Sequence, residues 1–91
     1  MQKIYVIKEE PRTLCMKGID AKEPVRLAIY THTKKEPKEI FVFDEELNIT
    51  IDSKLDYGMY IYAIELFKLD KIVDQIGFGL IEILPNVVKG E

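Results

Sequence analysis

The chain has 91 residues, enough for one domain (1–91) and too few for two, and a chain of this size buries roughly 60–65 % of the surface it exposes when unfolded. An apolar content of 47 % argues against a disordered chain. With 13 basic and 16 acidic residues the net charge is −3, and the bases are scattered, without the basic excess or stripe of a nucleic-acid binder.

In chain order, Ile4-Tyr5-Val6-Ile7 is a β-favouring run that stops at Glu9-Glu10-Pro11. Arg12 to Lys17 forms a second short strand ended by Gly18, and 19–24 reads as a loop. Val25 to Thr31 alternates, with Val25, Leu27, Ile29 and Thr31 on one side and Arg26, Ala28, Tyr30 and His32 on the other. That period of two predicts a strand with one buried face. Lys34 to Glu39 mixes bases, acids and Pro37 and reads as a solvated loop. Ile40-Phe41-Val42-Phe43 has four consecutive apolar residues, the pattern of a strand buried on both faces or lying beside a cover. Asp44-Glu45-Glu46 is the next turn, after which Leu47, Ile49 and Ile51 alternate with Asn48, Thr50 and Asp52, a half-exposed strand.

The last two strands are Met59 to Phe67 and Ile76 to Leu84, joined around 68–71 and apolar enough to pair inside a sheet rather than at its edge. Pro85 closes the second because it has no N–H for a ladder, and 85–91 is read as a frayed tail. A competing pattern crosses this hairpin. Leu69, Ile72, Val73 and Ile76 have helical spacing, and 63–75 lacks glycine and proline, so a helix over 63–76 stays open beside the hairpin. The β-branched and aromatic residues Tyr60, Ile61, Tyr62 and Ile64 favour the hairpin.

Little in the chain points to catalysis. His32 is the only histidine, and the nucleophile candidates Cys15 and Ser53 have no base or signature near them in sequence. Cys15, between Leu14 and Met16, reads as a buried reduced thiol. One Cys and one His cannot supply the usual zinc ligands, and Asp44, Glu45, Glu46 and Asp52 lack the spacing and glycine of a helix-loop-helix calcium loop. No catalytic, cofactor-binding or metal-ligating residue is nominated. Gly77-Phe78-Gly79 precedes a strand, not a helix, so it marks a bulge or a close approach under an aromatic neighbour rather than a phosphate loop. The five tyrosines, Tyr5, Tyr30, Tyr57, Tyr60 and Tyr62, suit cross-strand packing or a binding platform for sugars or single-stranded bases. Tyr60 and Tyr62 share a face that would be an interaction surface if exposed. No run is long enough for a membrane span, and the start MQKIYVIKEE is not a secretion signal.

Gly58-x-Tyr60-x-Tyr62-x-Ile64-x-Leu66 followed by Gly79-x-Ile81-x-Ile83 resembles the C-terminal hairpin of small immunoglobulin-like virion domains of tailed phages and prophages, such as the N-terminal domain of upper baseplate proteins. The order of the preceding strands is similar over most of the chain. Two positions depart from the pattern: Ala63 replaces a common acidic residue, and Leu69-Asp70-Lys71 replaces an Asp-Gly turn, which leaves the turn geometry open. The resemblance implies an all-β, two-sheet antiparallel immunoglobulin-like sandwich of about six to seven strands. It also implies a non-enzymatic structural or assembly role in a tail or baseplate. Its partners would be other virion proteins or copies of itself, with no nucleic acid or membrane, and its place the virion or the host cytoplasm during assembly. The alternative is a carbohydrate- or protein-binding module that uses exposed tyrosines.

Overall fold

In a computed structural model of the chain, which describes residues 3–16, 24–31, 36–69 and 71–85, the described residues form seven strands and no helix. The strands are β1 (Ile4–Ile7), β2 (Arg12–Cys15), β3 (Val25–Tyr30), β4 (Glu39–Val42), β5 (Asn48–Ile51), β6 (Gly58–Lys68) and β7 (Lys71–Leu84). Five build a main sheet in the order β1-β7-β6-β3-β4, and β2 pairs with β5 in a separate two-stranded sheet. The main sheet is mixed, which corrects the expectation of a purely antiparallel fold: β1 runs parallel to β7, with Ile4 opposite Ile81 and Ile7 opposite Leu84. These two strands lie far apart in sequence, so no tight turn forces them antiparallel.

One core joins the two sheets. Ile49 and Ile51 of β5 share a buried cluster with Leu27 and Ile29 of β3, Tyr62 and Ile64 of β6, and Ile81 and Ile83 of β7. All of these main-sheet side chains lie on the inner face, because Leu27 is opposite Ile64, Ile29 opposite Tyr62, and Tyr62 opposite Gly79. Gly79 has a steric reason there. A Cβ on it would sit 2.9 Å from the Tyr62 hydroxyl and 3.0 Å from the ring, so the phenol packs onto bare backbone.

The β6–β7 hairpin settles the helix-or-strand ambiguity in favour of strand. Its register shifts twice, between Ile64 and Glu65 and between Leu66 and Phe67, so Ile76 and Val73 have no partner on β6. Each unpaired residue reverses the inside–outside alternation of the residues beyond it. Leu69, Ile72 and Val73 are all exposed, so their helical spacing lines no buried face. The chain reverses between Lys68 and Lys71, which face each other, with Leu69 at φ 52°.

Two further expectations are corrected. The apolar run at Ile40–Phe43 is not a strand covered on both faces. β4 is the edge of the main sheet, with Phe41 turned to the core and Ile40 and Val42 turned out and exposed. Conversely β3 is buried on both sides, since Ala28 and Tyr30 are as inaccessible as the residues that face the core. At the turn before β5, Asp44 Oδ1 accepts the N–H groups of Glu46 and Asn48, both at 2.9 Å, which fixes Leu47 at φ 62°. The expected tail, apart from Pro85, and His32 lie outside the described residues.

Candidate functional site

The outer face of the main sheet is the most distinctive surface of the molecule. Strand alternation turns Tyr5 and Ile7 of β1, Phe78 and Leu80 of β7, Met59 of β6, and Ile40 and Val42 of β4 away from the core. All seven are exposed. The register makes them neighbours: Ile40 is opposite Ala28, Ala28 opposite Ala63, and Ala63 opposite Phe78, a row across four strands.

The centre of this face is closed by a polar clamp. Glu65 is only 3 % exposed; its Oε1 accepts from Arg26 Nε at 2.8 Å and its Oε2 from the Tyr30 hydroxyl at 2.7 Å. Arg26 stacks its guanidinium over the Phe67 ring, 4.0 Å from the centroid. Tyr30 lies opposite Ile61 while Glu65 lies opposite Arg26, four residues further along β3, so roughly 13 Å of strand separates the two positions. The phenol reaches Glu65 only by running lengthwise over the sheet, and Ala28 and Ala63, which cluster with it, are the floor beneath. Burial and the Glu65 carboxylate push the Tyr30 phenol up to about 12, with Arg26 offsetting part of the rise. At the β1 side, Lys3 Nζ bonds Glu82 Oε1 at 3.0 Å, which holds the ammonium's pKa above its ordinary value.

The tyrosines do not form one platform. Tyr60 and Tyr62 do share a face, but it is the inner one: Tyr62 is buried, and Tyr60 packs on the core with its hydroxyl on the Asp56 carbonyl at 3.0 Å. Burial pushes the Tyr62 phenol up. Tyr5 and Tyr57 are exposed on separate elements, under Lys3 and Lys8 respectively.

The other candidates disperse. Cys15 is exposed, contrary to expectation, because Leu14 takes the inward position of β2 and turns its neighbour out. Ser53 is buried and structural: its hydroxyl donates to Glu39 Oε1 at 2.7 Å and accepts from the Leu55 N–H at 3.1 Å, while Glu39 Oε2 accepts from the Lys54 N–H at 2.8 Å. Asp44 is occupied in its turn and Asp52 neighbours the Lys54 ammonium at 3.5 Å. Among the described residues no group of three or more His, Cys, Asp or Glu is placed to hold a metal ion. The described residues also leave open clefts. One, of about 410 Å³, lies between β1 and the start of β2, bounded by Tyr5, Pro11, Arg12 and Leu84. The other, of about 320 Å³, separates Leu14 and Met16 from Leu27, Phe43 and Tyr62. Thr13, in the first, pairs its hydroxyl with that of Thr50 at 3.2 Å rather than with a base. No family model, curated protein or solved structure matches the chain.

The sequence reading found the strands that carry the outer face but not the face itself. The signal was there in Ile40 and Val42, whose neighbours Phe41 and Phe43 turn to the core, and in Phe78 and Leu80, which alternate with glycine and isoleucine.

Proposed function

We propose that this chain is a non-enzymatic structural or assembly domain that works through protein–protein contacts made by the outer face of its main sheet. The observation that carries the reading is the exposure of that contiguous apolar face around a centre whose polar groups are already satisfied by one another. The setting is a phage or prophage tail or baseplate, with other virion proteins or the chain itself as partners. Its support is the resemblance of the Gly58–Ile83 hairpin to small virion domains. The finer fold reading is an immunoglobulin-like sandwich. It is supported by the strand order, because the third, sixth and seventh strands share one sheet in that fold and the second and fifth share the other, as they do here.

The test is co-expression with the products of adjacent genes, followed by purification on a tag carried by this chain. The expected result is a stoichiometric complex or a self-assembled species that is lost on Val42→Asp or Phe78→Asp. A chain that forms neither overturns the reading.

A further inference from the structure

We infer that the outer face of the main sheet is a two-fold interface, and that its occupant is a second copy of this chain. The inference rests on the assembly reading above and names the partner. Three observations carry it.

The first is area. Tyr5, Ile40, Val42, Met59, Phe78 and Leu80 are between 42 and 66 % exposed on this one face. At roughly 200 Å² for each fully exposed side chain, they present on the order of 600 Å² of surface, at the upper end of the patches found on monomers. A stable interface of standard size buries roughly 800 Å² per partner, a little over half of it apolar. One copy of this face supplies the apolar share that such an interface needs.

The second is charge. In a two-fold interface every patch meets a surface of the same composition, so an unbalanced charge near the axis confronts its own likeness. Two charged pairs on this face are neutralised within the chain, Arg26 with Glu65 at 2.8 Å and Lys3 with Glu82 at 3.0 Å. At these two pairs the face meets its copy with no unbalanced charge, which suits a neutral partner of its own kind better than a strongly charged one.

The third is the satisfied centre. Glu65 spends both oxygens on Arg26 and Tyr30, so burying the face strands neither of them. Sheet-on-sheet packing of two such faces then takes the usual geometry, about 10 Å between sheets and side chains interleaved.

Sedimentation equilibrium of the full chain over roughly 1–100 µM tests this. The expected result is a monomer–dimer equilibrium that Phe78→Asp and, separately, Val42→Asp each shift toward monomer by at least ~10-fold in Kd, with the far-UV circular dichroism unchanged. Val73→Asp, on the hairpin arm beyond the face, leaves the dimer intact. A wild-type chain that stays monomeric throughout overturns the inference, and so does a dimer that both face variants leave untouched. Monomeric wild type that nonetheless forms a complex with another protein, lost on Phe78→Asp, overturns the self-partner and leaves the assembly reading standing. Monomeric wild type that binds no partner removes both.

Discussion

The two faces of the main sheet are held by different physics although the same backbone carries them. The inner face is largely aliphatic, and its buried phenol, Tyr62, is accommodated by removing a neighbour's side chain at Gly79. The outer face puts a buried carboxylate at its centre and spends an arginine and a tyrosine on it. A face made only of alkyl groups loses stability in proportion to the atoms removed from it, whereas a face built on an ion pair fails abruptly when one partner goes. The comparison explains why a strand as short as β3 has no solvent side: its inner residues are covered by the small sheet's core and its outer ones by their own tyrosine.

Arg26→Ala damages the outer clamp most, because it leaves Glu65 buried with only a phenol for company. A loss of ~3–5 kcal/mol is expected by urea denaturation, enough to unfold much of a domain whose total stability is about 5–10 kcal/mol. Replacing the pair together, Arg26→Met with Glu65→Leu, recovers most of that loss if the outer clamp serves specificity more than stability; no recovery refutes that account. Leu27→Ala on the inner side costs ~2–5 kcal/mol by the same measurement, through lost transfer energy and a cavity. Gly79→Ala forces the Tyr62 ring off its seat and costs ~1–3 kcal/mol; a neutral result would show that the ring has room to retreat.

Tyr30→Phe costs less, about 1–2 kcal/mol near neutral pH, and carries a pH signature. The Tyr30 phenol titrates near 12 in the folded chain against an ordinary value of 10.0. Between those values the unfolded chain has lost a proton that the folded chain keeps, so alkali favours unfolding. The stabilisation is fully present below about pH 10 and disappears as pH rises through about 12. Denaturation midpoints across that window should fall more steeply for wild type than for Tyr30→Phe, and equal slopes would assign the effect to Tyr62 or Lys3. The smallest effect belongs to Phe78→Ser, which removes an exposed ring: a stability change within about 0.5 kcal/mol for the monomer.

Much of the fold was legible because period-two alternation is a local signal. β3, β5 and the body of the β6–β7 hairpin fall where Val25–Thr31, Leu47–Ile51, Met59–Phe67 and Ile76–Leu84 are read. Gly79 under an aromatic ring was equally visible, since a glycine flanked by strand residues has few other uses. What escaped depends on contacts between distant segments. Nothing in Ile40–Phe43 says that no further strand covers it, and nothing in Leu14-Cys15-Met16 says which of the three turns inward. The Tyr30–Glu65 bond spans 35 residues of sequence and depends on two alanines that look featureless in isolation. The hairpin's bulges were hidden by the same apolar residues that imitated a helix.

The parallel pairing of β1 with the end of β7 gives the chain a temporal order. A ribosome releases Ile4–Ile7 well before their sheet neighbours, Ile81–Leu84, which arrive some seventy-seven positions later. Until then Ile4–Ile7 lack the strand they pair with. Closure of this ladder is a long-range pairing and so carries a high loop-closure cost, and a stop codon placed before Ile81 strands Ile4–Ile7 together with the segment it removes.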